Sequence, residues 1–278
     1  MEYTVGSFGG KNVLITGGAA GIGKIMGRLA LERGAARLII WDINKNALDS
    51  TVREFSSLNY SVYGFVVDVS DVEQINSAAA EVKNTAGHID ILINNAGIIV
   101  GKSFNLHSHA DIQKTMQINT DALMHVSIEF LQQMIDRKSG HICNISSAAG
   151  MIANPGMSVY CASKWAVIGW SESLRLEMKQ SHTGVHITTV TPYYISTGMF
   201  SGVKSLIPLI KPEKAARCII RGIENNRKFV RIPWLIYLLQ FTRGIMPVSL
   251  FDWFLGSLLG VYKSMSTFTG HAAAEKKQ

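Results

Sequence analysis

Tyr160 and Lys164 stand four residues apart in the stretch VYCASKWA (159–166), with small residues between them. On a helix that spacing places both on one face, one turn apart. A free phenol titrates near pH ~10, too high to exchange protons readily at neutral pH. A fixed ammonium one turn away favours phenolate, so Lys164 is expected to lower the pKa of Tyr160 and make it a general acid/base for an alcohol–carbonyl pair. Ser147, in ICNISSAAG just upstream, offers a hydroxyl that would hold the substrate oxygen beside the tyrosine. Asn119, in MQINTDA, falls within an expected long helix where asparagine is a mediocre helix former. A carbonyl or ordered water held there would complete a proton path to Lys164; the plainer alternative is a satisfied core amide.

A second cluster suits a different ligand. TGGAAGIG (16–23) has Gly17, Gly21 and Gly23 in a GxxxGxG spacing. Glycines permit the turn and let backbone N–H groups and a helix N-terminus approach a pyrophosphate, so Gly17, Ala20, Gly21, Ile22 and Gly23 are expected to line a dinucleotide. Asp42 ends the second strand, where a carboxylate accepts hydrogen bonds from an adenosine ribose and repels a 2′-phosphate. No Arg or Lys lies in the glycine loop or directly after Asp42, and Lys45 is the nearest basic residue, so NAD is favoured over NADP. The alternative role for Asp42 is to cap the following helix. Asp68, ending the third strand, and the NNAG turn with Asn95, Ala96 and Gly97 occupy the same carboxyl edge; Ile43 and Val69 join the expected cofactor set.

These groups need a scaffold that brings distant segments to one edge. Near-continuous aliphatic runs at 12–17, 37–42, 63–69, 90–97, 141–147, 185–192 and 229–233 read as strands covered on both faces. Helical patterns near 22–33, 45–57, 71–85, 108–137, 158–181 and 212–225 separate them. The alternation predicts an α/β fold, a doubly wound parallel sheet of about seven strands with right-handed crossovers. No repeat or linker divides the chain, so residues 1–233 and the extension 234–278 are assigned to one domain.

Composition narrows the classes. At 47% hydrophobic and 17% charged residues, the chain has ample core and is not disordered. A formal charge of +7 fits an anionic cofactor or membrane surface; without a basic run interleaved with aromatics, nucleic acid is disfavoured. Three scattered cysteines exclude a disulfide framework or zinc site and imply a reducing compartment; Cys143 and Cys161 are expected to be buried. No apolar run at the start suggests a signal peptide or span, so the expected location is cytoplasmic. The NIS at Asn144 falls in a predicted core strand and is read as chance, and the tail EKKQ as a frayed terminus.

The last stretch breaks the alternation. From Phe229 to Tyr262 the only charged residues are Arg231, Arg243 and Asp252, while Pro233, Gly244 and Pro247 interrupt it before any run long enough to span a bilayer. A buried extension, a dimer contact, an apolar substrate rim and a segment lying on a membrane all remain open. The segment GMFSGVKSLIPLI (198–210) reads as a lid over an apolar ligand, through Met199, Phe200, Val203, Leu206, Ile207, Leu209 and Ile210. Together with Trp234, Tyr237, Phe251, Trp253 and Phe254, these favour a lipophilic alcohol.

TGxxxGxG, the strand-end Asp, NNAG, a mid-chain Asn, Ser and YxxxK occur in the order found in short-chain dehydrogenase/reductases, which the chain resembles over about residues 8–233. The resemblance implies a Rossmann-type fold and an NAD(P)-dependent oxidoreductase with Ser147, Tyr160, Lys164 and Asn119 as a catalytic tetrad. It adds Tyr160 and Lys164, the latter through the nicotinamide ribose, to the cofactor contacts, with Pro192, Ile195 and Thr197. It also implies a homodimer or homotetramer built through the two long helices. TPYYISTGMF departs from the family by placing Tyr193 where a glycine usually follows Pro192; that side chain is expected near the nicotinamide, reshaping the substrate cavity. TGMF and the extension are similar to the branch with retinol and 17β-hydroxysteroid dehydrogenases, whose N-terminal membrane anchor is expected to be absent here. Ser147, Tyr160, Tyr193, Met199 and Phe200 form the expected substrate set, for a retinoid, steroid or long-chain alcohol. Two alternatives use the same fold: an NADPH-dependent aldehyde or ketone reductase, and a non-catalytic nucleotide sensor, which would typically lack the Tyr or the Lys.

Overall fold

The computed structural model describes residues 7–270. Seven parallel strands, β1 (Asn12–Thr16), β2 (Arg37–Asp42), β3 (Val62–Val66), β4 (Ile91–Asn94), β5 (Gly140–Ile145), β6 (Val185–Pro192) and β7 (Phe229–Ile232), lie in the order β3-β2-β1-β4-β5-β6-β7. Successive side chains alternate between two cores. Val13, Ile15, Leu38, Ile40 and Ile93 face one; Leu14, Ile39, Trp41, Leu92 and Ile142 face the other. Burial on both faces is why the central strands carry no polar alternation, whereas β3, at the sheet edge, is only partly covered. The chain leaves β1 toward one side of the sheet and returns at β4 on the other, which opens a crevice at their carboxyl ends.

Helices cover both faces: α1 (Gly21–Glu32), α2 (Lys45–Ser56), α3 (Val72–Ala86), α4 (His109–Met116), α5 (Ala122–Asp136), α6 (Ser158–Gln180) and α7 (Pro212–Glu224). Local chemistry fixes their starts. Asn44 caps α2 by accepting from the Ala47 N–H at 3.0 Å, Asp71 caps α3, and Ser108 with Asp111 forms a capping box on α4. The helix expected over 108–137 is present, α4 and α5 running on through a wide π turn at Gln117–Asp121. Its cause is Asn119, whose amide turns inward to bond the backbone of Ile98 and holds the turn open.

The extension forms α8 (Leu235–Ile245) and α9 (Val248–Trp253), followed by short turns of helix. It is two-sided. Ile236, Leu239, Phe251, Leu255 and Val261 join the core, whereas Trp234, Leu238, Phe241, Ile245, Val248 and Trp253 are exposed. Among the described residues no helix is long and apolar enough to cross a membrane. Cys143, Cys161 and Asn144 are buried, the last within β5. The EKKQ tail lies outside the described residues.

Candidate active site

A cavity of about 250 Å³ opens at the carboxyl edge, between the turn after β1 and the start of α6. Its floor on one side is the glycine turn: Gly17, Ala20, Gly21, Ile22 and Gly23 all line it. Gly17 has φ +62, the left-handed region where a side chain is strained. At Gly23 a Cβ would collide with the Gly17 carbonyl oxygen and approach Asn95 Nδ2 to 2.8 Å, so helix and turn are in backbone contact. Ala20 supplies no capping side chain, which leaves the first N–H groups of α1 available to an anionic oxygen. The cradle therefore fits a pyrophosphate.

Asn95 holds this turn in shape. Its Nδ2 donates to the carbonyls of Thr16 at 3.0 Å and Gly17 at 2.9 Å, while its N–H and that of Ala96 donate to Thr16 Oγ1. Asn95, Ala96 and Gly97 all reach the cavity. Asp42 lies further along the edge; it accepts from the Ala19 N–H and the Asn44 N–H, both at 3.0 Å. Because Asn44 is the helix cap, Asp42 is not. Lys45, the nearest cation after it, is engaged with Asp49 at 2.8 Å. Asp42, Ile43, Asp68 and Val69 do not line the cavity itself: Ile43 is exposed, Val69 is buried beneath the edge, and Asp68 Oδ1 accepts from Ser70.

The reacting side is built by β5 and α6. Ser147 follows β5, and its Oγ accepts from the Ala149 N–H at 3.1 Å, opening a short turn. Tyr160 and Lys164 come from successive turns of α6, both buried and both at the cavity wall with Ser147. Lys164 Nζ lies 5.8 Å from the Tyr160 ring centroid and donates to the Ile145 carbonyl at 3.0 Å. Ser146 Oγ donates to the Lys164 carbonyl at 2.8 Å, which fastens the helix to the strand end.

Electrostatics correct one expectation. Tyr160 is not held below the usual phenol range: burial pushes it up, and the Ser147 hydroxyl only opposes that rise. Burial likewise lowers Lys164 from 10.5 to about 8. Desolvation penalises both charged forms.

Asn119 does not reach the cavity. Its Oδ1 accepts from the Ile98 N–H at 2.8 Å, and its Nδ2 donates to the Ile98 carbonyl at 2.9 Å and to Ser163 Oγ at 3.1 Å. The amide is satisfied, as in the plainer alternative, yet it stands close to the reacting groups. A Cβ at Gly97 would be 3.2 Å from Asn119 Oδ1 and 3.5 Å from Lys164 Nζ.

Pro192 at the end of β6 and Tyr193, Ile195 and Thr197 beyond it, with Met199 and Phe200, complete the cavity wall. Phe200 meets the Tyr160 ring edge-on at 6.1 Å and the Tyr194 ring at 5.0 Å. Tyr193 packs on Tyr194 at 4.6 Å, and its hydroxyl lies 2.9 Å from Ser205 Oγ, tying the lid segment down. The rest of the lid reading needs correction. Val203, Leu206, Leu209 and Ile210 do not line this cavity, with Leu206 73% exposed, and Ile207 lines a smaller neighbour. Trp234, Tyr237 and Trp253 face solvent and Phe251 packs in the core. Ile145 and Ser146 are site residues that sequence reasoning missed; only their adjacency to Ser147 signalled them. Among the described residues no His, Cys, Asp and Glu cluster could hold a metal.

The family model for short chain dehydrogenase matches residues 11–206. Epidermal retinol dehydrogenase 2 of Mus musculus is 36% identical, over 94% of this chain and 86% of that protein. Estradiol 17-beta-dehydrogenase 11 of Homo sapiens is 34% identical, over 86% of this chain and 80% of that protein. In fold, the chain is similar to a short chain dehydrogenase/reductase from Burkholderia phymatum solved in complex with NAD, with a TM-score of 0.79, 22% identity, and coverage of 86% of this chain and 96% of that one. The glycine turn, the Ser147–Tyr160–Lys164 cluster and these likenesses agree: the chain belongs to the short-chain dehydrogenase family.

Proposed function

We propose that this oxidoreductase transfers a hydride between a lipophilic alcohol and NAD, with Tyr160 as the general acid/base. The observation that carries the reading is the convergence of Ser147, Tyr160 and Lys164 on one cavity whose opposite wall is the glycine turn. A nicotinamide dinucleotide, when bound, supplies the hydride acceptor. The N–H groups at the start of α1 and the turn of Gly17 to Gly23 would hold its pyrophosphate. Asp42, with both oxygens already oriented by Ala19 and Asn44, would hold the adenosine ribose and disfavour a 2′-phosphate. Lys164 and Thr197 would hold the nicotinamide end.

Ser147 Oγ orients the substrate oxygen, and Tyr160 Oη takes its proton as the carbinol carbon is oxidised. Lys164 would stabilise the phenolate so formed. Asn119 is a positioning residue, pinning the Ile98 segment and the wide turn against α6. Phe200, Met199 and Tyr193 give the cavity an apolar wall suited to a retinoid, steroid or long-chain alcohol. The names of the relatives, a retinol dehydrogenase and an estradiol dehydrogenase, support that substrate class. The test is NADH formation across retinol, estradiol and decanol, in the wild type and in Tyr160→Phe. The variant should lose turnover while still binding NAD; near-normal turnover would remove the tyrosine from the mechanism.

Trp234, Tyr237, Leu238, Phe241 and Ile245 recur at helical spacing on the solvent side of α8, and Val248 and Trp253 continue the apolar surface. An aromatic-rich face of this kind supports peripheral contact with a membrane, from which an apolar substrate would be drawn. Exposed Ile128 on α5 and Leu176 on α6 support a homodimer or homotetramer through the long helices. Light scattering of the purified chain checks the assembly.

A further inference from the structure

Residues 264–270 of the extension form a strap bound to the lid segment. The Ser201 carbonyl accepts from the Thr269 N–H at 3.0 Å, from Thr269 Oγ1 at 3.2 Å and from the Gly270 N–H at 3.3 Å. Thr267 Oγ1 donates to the Gly202 carbonyl at 2.6 Å, and the Lys204 N–H donates to the Ser264 carbonyl at 3.1 Å. A Cβ at Gly202 would collide with the Thr267 carbonyl oxygen, and Gly202 has φ +81, so the two backbones meet where only glycine fits. On its other side the same strap packs against the loop after β4. A Cβ at Gly101 would lie 2.5 Å from Phe268 Cε1 and 2.7 Å from Met265 Cε. The loop and the lid leave strands on either side of β5, the strand that leads to Ser147. Each also gives residues to the catalytic cavity: Gly97 from the loop, Met199 and Phe200 from the lid.

We propose that residues 264–270 are a latch that holds the lid segment and the loop after β4 together, and so sets how bulky an alcohol the cavity admits. The strap is anchored at one end. Ser264 is fully buried, with its hydroxyl 3.0 Å from the Tyr194 hydroxyl. Thr267 and Thr269 beyond it are exposed, so water competes for their bonds and the grip can be released. What the grip controls is Phe200. That ring stands one residue before Ser201, lines the cavity and meets the Tyr160 ring edge-on at 6.1 Å. While Ser201 and Gly202 are held, Phe200 stays against the reacting phenol and narrows the space for a substrate carbon skeleton. Thr267 and Phe268 are therefore positioning residues, acting through Phe200 rather than on the substrate. The size selection rests on the alcohol-oxidoreductase reading; the latch itself does not.

The experiment uses the full chain and compares the wild type with Thr267→Val/Phe268→Ala, which removes one bond to the lid and the contact with Gly101. Trypsin cleavage after the exposed Lys204 reads lid release, and cleavage after Lys138, in an exposed turn before β5, reports general loosening. In the variant the Lys204 rate should rise by ~10-fold or more, with the Lys138 rate unchanged. The kcat/KM ratio of estradiol to decan-1-ol should rise several-fold through KM, with NAD affinity unchanged. An unchanged Lys204 rate, or equal acceleration at both sites, would overturn the latch. Faster cleavage at Lys204 with an unchanged alcohol ratio would overturn its control of the cavity. Should the double variant not fold, Thr267→Val alone, a change at an exposed side chain, carries the same test with a smaller shift. Oxidation of neither alcohol would defeat the alcohol reading instead, and the cleavage rates would still decide the latch.

Discussion

Replacing Lys164 by Met should remove activity and alter stability in a way that depends on pH. The ammonium is buried, and burial lowers its pKa from 10.5 to about 8. At roughly 1.36 kcal/mol per pH unit, holding the charge inside the fold costs about 3 kcal/mol at neutral pH. Methionine carries no charge and has a similar reach. It also abandons the Ile145 carbonyl, which Lys164 Nζ meets at 3.0 Å, and an unpaired buried acceptor offsets ~1 to 2 kcal/mol of the gain. The net expectation is a variant more stable than the wild type at pH 7 by on the order of 1 to 2 kcal/mol. The sign of the pH dependence follows from proton counts. Between about 8 and 10.5 the unfolded lysine keeps its proton while the folded one has lost it, so wild-type stability from this group rises with pH across that window. The variant lacks that rise, so its advantage should shrink by ~1.4 kcal/mol per pH unit and reverse before the top of the window. Other buried groups, Tyr160 and Cys143 included, titrate in both proteins and cancel in the difference. Urea denaturation of both proteins from pH 7 to 10.5 measures the gap directly. A gap that stays flat would refute the claim that Lys164 is held in the fold against its own desolvation.

Asp42→Ala should relax cofactor choice toward NADP by ~10-fold or more, read as the ratio of kcat/KM values for the two cofactors; a wild type that already prefers NADPH would show that Asp42 has been misread. Gly23→Ala would drive a methyl into the Gly17 carbonyl and should abolish NAD binding in a fluorescence titration, whereas the same change at Gly244, where a Cβ meets nothing within 4 Å, should leave binding intact. Trp234→Ser with Phe241→Ser should cut co-sedimentation with anionic liposomes several-fold while leaving turnover of a water-soluble alcohol unchanged. Unchanged sedimentation would mean that the exposed face of α8 serves another contact.

The sequence by itself determined what depends on short-range order. Strand runs without alternation predicted a sheet covered on both sides, and the seven strands lie where those runs are, with trimmed ends at β3 and β4. The glycine turn was legible because φ and close approach are local demands, and the Tyr160–Lys164 pairing because helical spacing is a local rule. Tertiary structure decided whatever depends on through-space surroundings. Burial set the direction of the Tyr160 pKa against the expected influence of its neighbour, since desolvation is a property of everything packed around a group. The apolar residues after Thr197 look alike in sequence, yet only packing selected Met199 and Phe200 for the cavity and left Leu206 in solvent. The widened turn at Asn119 is matched by a partner that local spacing could not name, Ile98, 21 residues earlier in the chain.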